Sequence, residues 1–290
     1  MANLKDIKRR ITGVKKTRQI TSAMKLVAAA KLKRATDRAV AARPYREQLQ
    51  AVLQRVAAVA GEDVDEPLLA SRDQVQNILV VVLSSDRGLC GPFNNGLIRK
   101  TVPWLDDKKG ATTVHLKVYG RKGHNGLKKL DGLQRLDSVT DFGKEERDEV
   151  AKALTTDMVT GFIDGTYDEV YVVYNRFVNT LSQVPTFDKV LPLTIDSDEE
   201  AADAMGADYR YEPDGATILG TLLPLYLQTL VLQAFLETDA GFFAAQMTAM
   251  ENATKNASDL IGQLTLDYNR ARQAAITTEI IEITSGAAAL

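Results

Sequence analysis

The chain has 290 residues, 45% of them hydrophobic, 6% aromatic, and a formal net charge of -2. That is enough for one large or two small packed domains, and the low aromatic share with abundant alanine suits long helices better than one bulky core. A single cysteine, Cys90, excludes an internal disulfide, argues against a cysteine-based metal site and fits a reducing compartment; no apolar signal-peptide core opens the chain and no uninterrupted run of 18 apolar residues spans a bilayer.

From Ala2 to about Ala60 the only glycine is Gly13 and the only proline is Pro44. Leu4, Ile7, Ile11 and Val14 recur at helical spacing, followed by Ile20, Met24 and Val27 in a slightly shifted phase. Pro44 should kink this helix or mark a break. The pattern resumes at Leu49, Val52, Leu53, Val56 and Val59, ends at Gly61, and gives way to a linker over 62–67.

The run Asn77–Ser84 is continuous and β-branched, the mark of a strand buried on both faces in a parallel sheet. A polar, glycine-rich loop, 85–96, leads to a helix ending near Leu105. Val114–Tyr119 is a second strand, 120–123 a turn, 144–161 a helix, and Glu169–Tyr174 a third strand. Thr186–Leu193 is a fourth, placed at an edge by its prolines. Strands alternating with helices predict a small Rossmann-like α/β domain with a mostly parallel sheet over 75–195.

An acidic loop at 196–208 precedes a last helix running from about Asp214 to Leu290. The richest apolar stretch, Ile218–Leu236, is broken by polar residues and is expected to be a buried helix face. Beyond it Phe243, Met247, Met250, Thr254, Ala257, Ile261, Leu264, Tyr268, Ala271 and Ala275 alternate in steps of four and three, a coiled-coil pattern. At about 1.5 Å per residue the terminal helices would reach about 85 and about 110 Å. The simplest partner for each is the other, antiparallel. Charge agrees: residues 1–34 hold eleven Lys or Arg against Asp6 alone, and 214–290 hold three against eight Asp or Glu. The expected organisation is an α/β fold with a coiled-coil helix over 1–60, the central domain over 75–195 and a coiled-coil helix over 210–290.

Chemistry is sparse. The 84–96 loop lies where α/β proteins bind phosphate, but fits neither the dinucleotide fingerprint nor the P-loop, so a structural turn is the better reading. Cys90 is read as a packing thiol. His115 and His124 have no evident Ser or Cys partner and suggest no triad or metal site. The acidic 196–208 loop is read as solvated, or as a face for a basic partner. The basic first helix would suit nucleic-acid phosphates, but no aromatic residue interleaves with its cations, and an acidic protein surface explains the same residues.

Three segments carry a resemblance. Lys5–Ile11 with Thr17–Lys31, the loop Ser85–Gly91, and Tyr268–Leu290 resemble, in order and across the whole chain, the γ subunit of bacterial F-type ATP synthases. The resemblance implies a non-catalytic shaft: an antiparallel coiled coil inside a hexameric ring of α and β subunits, and an α/β domain beside the ε subunit and the membrane c ring. Proton-driven rotation would drive each β subunit through its open and closed states. It further implies contacts with β through Met24, Lys25, Arg272, Gln273, Thr277, Thr278 and Glu279, and contacts with the c ring or ε through Tyr209, Tyr211 and Glu212. No cofactor is implied on this chain, since ATP or ADP and magnesium would sit on α and β. The expected location is peripheral, on the cytoplasmic face of the bacterial inner membrane. Lys25 departs from relatives that carry an acid there, and the paired-cysteine insertion of chloroplast members is absent.

Overall fold

Five helices and five strands are present among the residues described, 4–60, 66–141, 147–195 and 214–288 of this computed structural model. The strand β1 (Asn77–Leu83) is buried along nearly its whole length and forms the centre of the sheet. On one side it pairs in parallel with β2 (Thr113–Tyr119), Asn77 facing Thr113, and on the other with β4 (Glu169–Phe177), Ile78 facing Glu169. The two-residue β3 (Gln134–Arg135) adds a parallel edge beside β2, and β5 (Gln183–Leu191) an antiparallel edge beside β4, giving the order β3-β2-β1-β4-β5. The expected edge strand is therefore real but starts earlier, so that Pro185 falls on a strand with one free side, where its missing N–H costs no ladder bond.

Alternation along β1 divides the core. Ile78, Val80 and Val82 pack with Leu97 and Leu105 of α2 (Phe93–Lys109). Leu79, Val81 and Leu83 pack with Leu154, Met158 and Phe162 of α4 (Arg147–Ile163), with Leu49, Leu53 and Val56 of α1 (Leu4–Ala60), and with Leu219, Leu223, Leu227, Val231 and Phe235 of α5 (Gly215–Ala288). Each such side chain contributes about 1.5–3 kcal/mol by leaving water. The 120–123 segment, expected as a turn, opens a short helix α3 (Arg121–Leu127), entered through Gly120 at φ 100°.

The terminal helices run through two compact units, 30–245 and 1–29 with 246–290. Pro44 neither ends nor breaks α1, which is continuous from Leu4 to Ala60. Pro44 is exposed while Ala39 and Leu49 on either side are buried, so water can satisfy the carbonyl that proline leaves free and the flanks hold the helix. Asp214 starts α5, accepting hydrogen bonds from the Thr217 N–H and hydroxyl at 2.8 and 2.9 Å. By length and composition α5 is apolar enough to cross a membrane. No uninterrupted apolar run reaches that length, and Leu219, Leu223, Leu227, Val231 and Phe235 of its first third are buried in the protein's own core.

Candidate coupling surface

Within the unit of 1–29 and 246–290 the helices pair along the stripe read from the sequence. Met250, Ala257 and Leu264 are buried, and Thr254, Ile261, Tyr268, Ala271 and Ala275 are half-buried. On α1 the buried positions are Ile7, Thr21 and Ala28. Here the expected phase shift fails: Ile20 and Val27 are 60% and 56% exposed. The stripe continues in step, carried by Thr21 and Ala28, because helices that pack closely accept small residues at the seam.

Two contacts fix the direction as antiparallel. Thr21 Oγ1 lies 2.8 Å from Thr254 Oγ1, and Lys25 Nζ lies 2.6 Å from Glu251 Oε1. Lys25, expected to meet an acidic segment of a partner, is thus already committed to Glu251. Met24 beside it is half-buried. Lys25–Glu251 is also an ion pair between the two helices, while Lys8, Arg10, Lys15, Lys16 and Arg18 of α1 are exposed and make no ion pair among the described residues.

Beyond Ala275 the seam stops. Residues 276–285 are all exposed, including Ile276 at 48%, Ile280 at 55%, Ile281 at 57% and Ile283 at 71%. Arg272, Gln273 and Glu279 are exposed and make no side-chain bond among the described residues. The hydroxyls of Thr277 and Thr278 donate back to the carbonyls of Gln273 and Ala274 at 3.0 Å each. Of the residues named for β contact, Arg272, Gln273, Thr277, Thr278 and Glu279 thus share one unpartnered helix end, while Met24 and Lys25 lie on α1. The four isoleucines were not singled out from sequence; their signal was an apolar cluster that leaves the four-three stripe directly after Ala275. Tyr209, Tyr211 and Glu212, like the acidic 196–208 segment, lie outside the described residues.

The glycine loop after β1 is closed on itself. Ser84 Oγ donates to the Tyr119 carbonyl at 2.9 Å and accepts from the Gly123 N–H at 2.8 Å. Asn94 accepts from the Ser85 N–H at 3.1 Å and donates to Ser85 Oγ at 2.8 Å and to Cys90 Sγ at 3.2 Å. Cys90 is buried, and burial pushes its thiol pKa up, away from nucleophilic chemistry. His124 Nδ1 meets Ser138 Oγ at 2.9 Å, and His115 sits edge-on to Tyr167, where burial lowers its pKa. Among the described residues no three of His, Cys, Asp or Glu gather as metal ligands.

A sequence-family model described as ATP synthase matches residues 3–290. The ATP synthase gamma chain of Geobacter sp. (strain M21) is 43% identical, covering 99% of this chain and 98% of its own length. That of Pelotomaculum thermopropionicum is 42% identical over the whole of both. Among solved structures, a chain of the Tetrahymena thermophila mitochondrial ATP synthase central stalk and c ring superposes with a TM-score of 0.61 at 27% identity, covering 81% of this chain and 99% of that one. A chain of the Euglena gracilis mitochondrial ATP synthase rotor shares the fold with a TM-score of 0.65 at 22% identity, covering 94% and 98%.

Proposed function

This chain belongs to the ATP synthase family as a gamma chain, and from that premise we propose that it is the central rotor shaft, coupling rotation of the membrane c ring to the conformational cycle of the catalytic β subunits. The observation that supports this most directly is the unpartnered end of α5. A helix that leaves its own coiled coil with four exposed isoleucines, an arginine and a glutamate is built to be covered by something else. A ring of α and β subunits is the partner that the family resemblance implies.

The physical task is to make three chemically identical sites unequal. A shaft does this by binding one conformation of each β subunit better than the others, and rotation then passes that preference round the ring. The chain makes and breaks no bonds; ATP, ADP and magnesium bind on α and β. Each charge that crosses 100 mV supplies about 2.3 kcal/mol, so several must act through the shaft per ATP. Arg272 and Gln273 hold a β loop, Thr277, Thr278 and Glu279 extend that contact, and Met24 with Lys25 lies along the β lever, Lys25 reaching it by exchange from Glu251. The foot, with Tyr209, Tyr211 and Glu212, meets the c ring and ε. The protein is peripheral, on the cytoplasmic face of the bacterial inner membrane.

Co-expression with the cognate α and β subunits, size-exclusion chromatography and an ATPase assay test this. A stoichiometric complex of three α, three β and this chain, with hydrolysis that depends on it, is expected. A chain that elutes alone, leaving α and β indifferent, overturns it. In the same assay Arg272→Ala should weaken coupling or assembly several-fold without changing the thermal unfolding of the isolated chain, since Arg272 is exposed.

A further inference from the structure

One cleft in the unit of residues 30–245 has polar chemistry that the proposed rotor role leaves unexplained. It encloses about 630 Å³ between α1, α5 and the β4–β5 edge of the sheet. That lies in the range of small-molecule sites, roughly 300–1,000 Å³. Among the described residues three buried side-chain polar atoms lack a hydrogen-bond partner, and two belong to residues lining this cleft: Arg46 Nε and Gln233 Oε1. Gln233 is 4% exposed. Its amide nitrogen donates to Glu237 Oε1 at 2.8 Å, which fixes the amide and leaves the oxygen as a buried acceptor without a donor.

The other charges around the cleft are largely spent. Asp188 accepts from the Tyr174 hydroxyl at 3.0 Å and pairs with Arg176 at 3.5 Å. Glu237 also accepts from the Phe177 N–H at 3.3 Å, and Lys189 pairs with Glu169 at 3.4 Å. Burial raises the Tyr174 pKa, with Asp188 and Glu237 adding to the effect, so it stays a neutral donor. Arg43, Arg46 and Glu47 make no ion pair among the described residues, and neither does Glu237, whose bonds come from neutral amides; two guanidinium groups and two carboxylates thus lack a charged partner.

An occupant that answers both orphaned atoms brings an oxygen to accept from the Arg46 guanidinium, with Arg43 beside it, and a hydroxyl to donate to Gln233. We propose that this cleft binds a small hydroxylated oxyanion of the sugar-phosphate class, its anionic group on Arg46 and Arg43 and a hydroxyl on Gln233. Guanidinium forks suit phosphate and carboxylate oxygens, which they hold in pairs.

Calorimetric titration of the full-length chain with ribose 5-phosphate, inorganic phosphate and ribose tests this, away from the nucleotide sites of α and β. Saturable binding of ribose 5-phosphate at millimolar concentration or below is expected, tighter than either fragment. Arg46→Gln should weaken it about tenfold, the size of one lost charge-assisted contact. Arg43→Gln, at an exposed position that leaves the fold intact, should weaken it less, and Gln233→Glu should abolish it by repulsion. No saturable heat from any probe overturns the proposal. Phosphate binding that ignores both arginine variants means an adventitious ion only, and also overturns it. Equal affinity for phosphate and ribose 5-phosphate removes the hydroxyl contact to Gln233, and with it the assigned class.

Discussion

Ser84 and Gly120 show how tightly the residues around the glycine loop are fitted. A Cβ on Gly120 would lie 2.4 Å from the Ser84 carbonyl oxygen, and φ there is 100°, a region open only to glycine. Gly120→Ala should therefore destabilise the central domain by more than about 2 kcal/mol, read as a fall in denaturation midpoint. A change within error would mean the backbone can relax without cost. A second residue-scale prediction concerns pH. Burial, then the neighbouring carboxylates, raises the Tyr174 pKa, and burial with the hydrogen bond to Glu169 raises that of Tyr171. A raised folded value means that folding favours the protonated phenol. This contribution is complete below the unfolded tyrosine pKa, about 10, and is lost as pH rises through the folded values. Alkaline titration at 295 nm should show these two of the nine tyrosines ionising only as the domain unfolds, and Tyr171→Phe with Tyr174→Phe should flatten the alkaline limb of stability. Ionisation of all nine near pH 10 with the fold intact would contradict this.

At the scale of elements, the clearest joint is between the starts of β1 and β4. Asp168 is 7% exposed, and its Oδ2 accepts from the Gln76 and Asn77 N–H groups at 2.8 Å each, while Oδ1 pairs with Arg72 at 3.4 Å. Asp168→Asn replaces a charged acceptor with an amide that cannot serve all three donors, and should cost about 1–3 kcal/mol, measured by chemical denaturation. The coiled-coil seam is less demanding: Thr254→Val keeps its shape and leaves Thr21 its bond to the Arg18 carbonyl at 3.1 Å, so the cost should stay below about 1 kcal/mol. These differences also explain what the sequence made legible. The strands β1, β2 and β4 were visible because β-branched runs buried on both faces have few other uses. The α5 stripe was visible because it keeps a four-three step for more than four heptads. The α1 seam was misphased because Thr21 and Ala28 carry no hydrophobic signal, while the larger Ile20 and Val27 do and yet face outward. β3 is two residues long and too short to have a period. The cleft at Arg46 and Gln233 joins positions nearly 190 apart in the chain, a proximity that no local pattern records.

Across the whole molecule the distribution of charge matters more than its sum. Residues 1–29 and 246–290 together hold eleven Lys or Arg against six Asp or Glu, a local +5, in a chain whose total is -2. Lys8, Arg10, Lys15, Lys16 and Arg18 among them are exposed and make no ion pair among the described residues, so they contribute little to the stability of the pair and remain available to an acidic partner. Charge of this kind acts at long range and so governs encounter more than final fit. Association with α and β should therefore slow markedly with salt: raising ionic strength from about 0.05 to about 0.5 M shortens the Debye length from about 14 to about 4 Å and should lower the association rate about tenfold. The thermal unfolding of the isolated chain should hardly move over the same range, because its seam is held by apolar side chains and the neutral Thr21–Thr254 contact, and its Lys25–Glu251 pair is solvent-exposed. Stopped-flow association with labelled chain measures the first and circular dichroism the second. A flat association rate would mean that the basic face meets no acidic surface, and the contact would then rest on the exposed isoleucines alone. A steep loss of folded stability would mean that the cations hold the two helices together after all.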